Sequence, residues 1–184
     1  LLEARLFRET GRSEQALKSL TSHPLFAGDT PDLLVAAAGL EVDRGRDGVA
    51  EAYLLKALDA EPKHIEAGSR FGLLKIKQGK RTEGEKKLRE VLDLYKKMSR
   101  EEAQRLSPDQ FVWFGKTCEG LNRFRDAYEV MYDSALYIDK NSVVAHAASG
   151  LALNSKYNYP DSRSHYRDAL STNPRHVESL IGLA

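Results

Sequence analysis

The chain has 184 residues, of which 41% are hydrophobic and 30% charged, and its net charge is +1. That length builds one ordinary domain or one repeat array, and the near-neutral balance argues against a polyanion binder by overall composition. A single cysteine, Cys118, excludes an internal disulfide and a cysteine-rich metal site.

In chain order, residues 1–30 hold an incomplete helix-pair pattern, with small residues at Ala4 and Ala16 and a turn glycine at Gly11. The opening LLEARLF lacks a methionine, and we read the chain as a fragment of a longer protein. Residues 31–64, PDLLVAAAGLEVDRGRDGVAEAYLLKALDAEPKH, are the first complete copy, turning at Gly45 and closing on Pro62. Its end, ALDAEPKHIEA (57–67), returns 112 residues later as ALSTNPRHVES (169–179), with His64 and His176 in register.

Residues 65–107 form a longer copy that turns at Gly79. Its stripe Gly84, Leu88, Val91, Tyr95, Met98 alternates steps of four and three. That is one face of a helix of roughly 17 residues, or about 25 Å. Thr82 with Glu85 predicts a capping box at its start. Ser99 with Glu102, then Ser107 with Gln110 and Pro108, mark two further helix starts. The insertion is therefore read as a lengthened helix plus a helical turn. Residues 108–142 carry Asn122 at the turn, and the spacing from Ala127 to Ala135 is one residue longer than from Ala50 to Ala57. Residues 143–176 are the last complete copy, with Tyr157 at the turn, and 177–184 open a sixth.

Three periods of 34 leave ten of the 112 residues over; nine fall in the 65–107 copy and one in the next. Small residues recur at the eighth place (Ala4, Ala38, Gly72, Gly115, Gly150) and where the second helix opens (Ala16, Ala50, Gly84, Ala127, Ser162). These are positions where two helices must approach closely, while large residues fill the space between. Glycine or asparagine at a helix end supplies left-handed backbone, and Pro62 and Pro174 cannot continue a helix. No such pair buries its apolar face alone, so neighbours must stack.

The register over five copies resembles the tetratricopeptide repeat, a 34-residue unit of two antiparallel helices. The resemblance spans essentially the whole chain and implies an all-α, right-handed solenoid of helix pairs. In that family the first helix of each unit lines a concave groove, and the resemblance implies partner-binding positions here. They are Val35, Gly39 and Val42; Arg70, Leu73 and Lys77; Trp113, Lys116 and Glu119; Ala148 and Leu151. Trp113 is read either as a groove anchor, as aromatics are at interface centres, or as inter-repeat core. Some relatives clamp a chaperone's terminal carboxylate with asparagines at the sixth and ninth places. Ala36, Arg70 and Trp113, then Gly39, Leu73 and Lys116, stand there instead, so the clamp is absent.

The residues offer no catalytic constellation. His23, His64, His146, His165 and His176 show no paired-ligand spacing, so no metal and no cofactor are expected. His64 and His176, at the junction between copies, are read as capping or packing groups. Cys118 is read as a buried structural thiol, and GRDG and KQGKR as turns. Residues 75–105 hold 11 Lys/Arg against 6 Asp/Glu. Their alternation gives helix-supporting pairs, and a solvated helix face outweighs a dock for an acidic partner. Nucleic acid is not expected, since aromatics are not interleaved with the basic residues as a stacking surface requires.

The expectation is a non-enzymatic scaffold for another protein or peptide. The alternatives are a non-catalytic arm of a larger enzyme such as a peptidase, a membrane-anchored assembly, or self-association through the open end at Ile181–Ala184. The chain itself has no apolar run near the ~18 residues of a membrane span and no signal-peptide pattern. A cytoplasmic setting is favoured over an anchored or exported parent.

Overall fold

The computed structural model describes residues 13–27 and 29–184; Ala4 and Gly11 lie outside them. Among these residues there are helices and turns and no strand. The chain divides into two compact units at Lys87/Leu88.

In the N-terminal unit α1 (Ser13–Thr21) and the single turn α2 (Pro24–Ala27) precede the hairpin of α3 (Pro31–Asp43) and α4 (Asp47–Ala60). The helix α5 (Ile65–Lys77) packs against α4, and α6 (Arg81–Lys97) starts in this unit and ends in the next. One cluster joins Leu34, Val35 and Ala38 of α3, Ala50, Leu54 and Ala57 of α4, and Ala67, Phe71 and Leu74 of α5. The three helices each give one apolar face to a shared interior, which no pair could close by itself. A Cβ on Gly84 would lie 2.5 Å from the Gly72 carbonyl oxygen, so only glycine allows that crossing of α5 and α6.

In the C-terminal unit a short helix α7 (Arg100–Gln104) precedes α8 (Pro108–Gly120). Both start on the expected capping boxes, Ser99 with Glu102 and Ser107 with Gln110. The helix after α8 runs as α9 (Phe124–Asp126), a π-helical segment Ala127–Tyr132, and α10 (Asp133–Ile138). The hairpin of α11 (Val143–Asn154) and α12 (Tyr159–Thr172) follows, and α13 (Val177–Leu183) packs on α12.

The π segment is where the extra residue between Ala127 and Ala135 goes. One widened turn absorbs it, and Ala127, Met131, Tyr132 and Ala135 all remain buried. Without the bulge, one added residue would turn everything after it by about 100°.

The turn inside each described helix pair uses left-handed backbone: Gly45 (φ 72°), Gly79 (φ 80°), Asn122 (φ 58°) and Tyr157 (φ 62°). The geometry thus outlasts the loss of glycine, at a steric cost for Tyr157. One expectation is corrected. α6 is 17 residues long but begins at Arg81, so Thr82 lies inside the first turn rather than at the cap. Glu85 there accepts a 2.7 Å bond from Arg81 one turn earlier, an i,i+4 pair that reaches the helix start.

Candidate functional site

The helix-pair junctions explain the repeated histidine. His64 is the N-cap of α5, its Nδ1 accepting the Ala67 N–H at 3.3 Å. His176 caps α13 in the same way, accepting the Ser179 N–H at 3.4 Å. Ser107 and Ser142 do the same for α8 and α11 with their hydroxyls. The junction residue thus satisfies an amide that the helix itself leaves unpaired. His64 also ties its helix to α3, with Nε2 3.1 Å from Asp32 Oδ1.

The first helices carry the residues expected to meet a partner. In every complete copy the fifth place is interior: Val35, Ser69, Val112 and Ala147 are all buried. Val35, named among the candidates, belongs to the core cluster at 2% exposure, and Ala148 is 6% exposed. Neither presents surface in this structure.

In the N-terminal unit Gly39 and Arg70 come together. The Arg70 guanidinium lies where a Cβ on Gly39 would meet it at 3.1 Å, and Glu66 accepts a 2.7 Å bond from its Nε. Val42 and Leu73 are half-buried and Lys77 is exposed, 2.9 Å from Asp47. Lys75 is buried between Glu51 (2.6 Å) and Glu83 (3.2 Å), with its ammonium over the Phe71 ring. The Lys75 hydrogen bond holds the Glu51 carboxyl below its ordinary value, and that same bond raises Lys75. Much of the basic stretch is thereby matched within the fold: Lys75, Lys77, Arg81 and Lys96 each face a carboxylate.

In the C-terminal unit Trp113 is half-buried on α8, neither fully core nor fully open, and the Lys116 ammonium sits 4.6 Å from its ring centroid. Glu119 faces inward more than expected. It accepts a 2.6 Å bond from the Tyr132 hydroxyl, and burial raises its carboxyl above the ordinary value. Leu151 stands 58% exposed and Val144 39% exposed on α11, which packs against α8. Cys118, also on α8, is fully buried, and burial pushes its thiol up to about 11. That is an inert structural cysteine.

A second constellation escaped the spacing argument. His146 of α11 and His165 of α12 meet with their Nδ1 atoms 3.1 Å apart, and Asp168 Oδ2 lies 3.9 Å from His146 Nδ1. Burial pushes His165 below its ordinary value, with the neighbouring imidazole adding to the shift. The ligands sit on two helices, so no short motif contains them. The one signal available was the pairing of successive helices across the Tyr157 turn, combined with the i,i+3 spacing of His165 and Asp168.

No family model and no curated protein matches the chain. Among solved structures, it is similar to the thermophilic TPR protein TTC0263 of Thermus thermophilus, with a TM-score of 0.68 at 16% identity, over 98% of this chain and 93% of that one. It is also similar to a chain of the APC/C hetero-tetramer Cut9–Hcn1, with a TM-score of 0.56 at 17% identity, over 98% of this chain. It spans 34% of that longer chain. Together with the capped helix pairs and their left-handed turns, these likenesses give the chain the all-α, solenoid-type fold of tetratricopeptide-repeat proteins.

Proposed function

We propose that this chain is a non-catalytic interaction scaffold whose first helices take up a segment of another protein. The observation that carries the reading is Trp113. It is a half-buried aromatic with a lysine over its face, on a helix whose neighbour α11 exposes Val144 and Leu151. Aromatic residues partly open to solvent beside apolar neighbours are the usual anchors of an interface. In the N-terminal unit Arg70, Leu73 and Lys77 offer a mixed surface of the same kind. The likeness to a chain of the Cut9–Hcn1 hetero-tetramer supports the reading, since there the fold occurs within a protein assembly.

The test is a peptide library displayed on phage and panned on the chain, with selected peptides measured by calorimetry against variants. Trp113→Ala should weaken binding by about 30-fold, the ~2 kcal/mol of a hot-spot aromatic. Lys116→Glu should weaken it further. A library yielding no binder, or binders indifferent to both substitutions, would remove the proposal.

A second reading, self-association, has its own support. On α13, Leu180 is 48% and Ile181 70% exposed, and apolar surface of that kind pairs with more of the same. Ile181→Asp should abolish any concentration-dependent dimer seen by light scattering.

A further inference from the structure

We infer that His146, His165 and Asp168 form a binding site for a divalent transition metal of the zinc class. The ligand atoms lie within 4.8 Å of one another. In a tetrahedral zinc site with bonds of about 2.0–2.1 Å, adjacent ligand atoms stand about 3.3 Å apart. The two Nδ1 atoms, at 3.1 Å, already span such an edge. His165 and Asp168 are three residues apart on α12 and therefore share a face, while His146 arrives from α11. Asp168 is 55% exposed, so its carboxylate has room to close on the ion.

The outer shell prepares the donors. His146 Nε2 lies 2.9 Å from the Lys140 carbonyl oxygen, which only accepts, so the ring proton sits on Nε2 and the Nδ1 lone pair points at His165. Such a second hydrogen bond fixes the tautomer that a metal requires. On the other ring, Nε2 lies 3.4 Å from the Tyr128 hydroxyl. Without an ion, a proton on His165 Nδ1 bridges the two rings. With one, that proton moves to Nε2, which faces the Tyr128 oxygen, and the metal takes its place. Two imidazoles and one carboxylate suit zinc, cobalt or nickel over magnesium or calcium. Three protein ligands leave the fourth position open.

The geometry differs from that of His64 and His176, whose Nδ1 atoms are occupied by amide hydrogens. Those two serve as internal controls.

The experiment titrates the whole chain with zinc chloride while reading the imidazole nitrogens by long-range proton–nitrogen NMR. Binding of one equivalent should shift Nδ1 of His146 and His165 and leave His64 and His176 in place. Cobalt(II) should then show the visible absorption of tetrahedral coordination. His165→Gln should abolish that band, and His23→Gln should leave it unchanged. Asp168→Asn, at an exposed position that does not threaten folding, should weaken binding. Tyr128→Phe should weaken it by about tenfold, as loss of an outer-shell partner does. Unmoved His146 and His165 nitrogens would overturn the assignment. So would zinc binding that survives His165→Gln at wild-type strength, because the pair would then be only a hydrogen-bonded tie between helices.

Discussion

The hairpin α3–α4 and the two hairpins of the C-terminal unit fill the same space with different residues. In α3–α4 an alanine, Ala38, shares its cluster with a leucine, Leu54. At the corresponding places Gly115 lies under Tyr132, and Gly150 under Tyr166; a Cβ added at either glycine would collide with the ring above it. Volume is conserved by shrinking one helix surface where the other enlarges, as close packing requires. Charge is handled differently too. The N-terminal unit pairs buried Glu41 with Arg46 and buried Lys75 with Glu51, whereas Glu119 meets a tyrosine hydroxyl. The same fold therefore permits an aliphatic, ion-paired solution and an aromatic, hydrogen-bonded one.

The sharpest way to break the comparison is by deletion. Removing exposed Ala52 from α4 would rotate Leu54 and Ala57 by about 100° off the core, and the N-terminal unit should lose its cooperative thermal transition. Removing exposed Val130 from the π segment should leave a regular helix with Ala127, Tyr132 and Ala135 still on one face. That variant should fold, with stability within about 1 kcal/mol of the parent. Circular dichroism melts of both variants decide it; equal damage would mean that the widened turn is required rather than merely accommodated.

That contrast also marks how much was legible beforehand. Counting from Ala127 to Ala135 exposed the extra residue, and the two capping boxes were written in Ser99–Glu102 and Ser107–Gln110. The turn geometry was readable at Gly45 and Gly79, while Tyr157 hid it, because sequence shows preference and not what stacking can impose. Which first-helix positions reach the surface was less readable. The family resemblance put Val35 and Ala148 beside accessible Leu151, since a helix in a stack is covered on two sides and the edge of that covering is set by neighbours. His146 and His165 were invisible for the same reason: their approach depends on the register of two helices, not on any local spacing.

The next largest effect lies in the glycine–tyrosine contacts. Gly115→Ala should cost about 1–3 kcal/mol, because the ring it strikes is fully buried and held by Glu119. Tyr132→Leu alone should cost about 2–4 kcal/mol through a cavity and a carboxylate that has lost its donor. Together they recreate the Ala38–Leu54 pairing, so urea titrations should give a double variant more stable than the sum of the two losses. Strict additivity would show that the contacts are independent.

Acid should separate the two regions by sign. Glu51 is lowered, so its contribution is present above the ordinary carboxylate value of 4.5 and lost as pH falls through the lowered one. Glu119 is raised, so the stability it lends is complete below 4.5 and is lost as pH rises through its higher value. Urea titrations between pH 3 and pH 7 (about the usable range for carboxylates) should show opposite slopes removed by Glu51→Gln and by Glu119→Gln. Slopes of one sign for both would contradict the assigned environments.

The smallest effect tests the turns. Tyr157 holds φ 62° with its side chain 80% exposed, so it carries steric strain for little burial. A left-handed L-residue costs about 1–2 kcal/mol, and glycine returns about 0.4–1 kcal/mol of that through a freer unfolded chain. Tyr157→Gly should therefore stabilise the C-terminal unit by about 0.5–1 kcal/mol, seen as a higher urea midpoint at unchanged slope. Asn122→Gly should change little, because asparagine tolerates this conformation. A destabilised Tyr157→Gly would mean that the edge-on contact of Tyr157 with Tyr159, at 6.3 Å between ring centres, outweighs the strain, and that the aromatic solution extends from the interior of this unit to its turns.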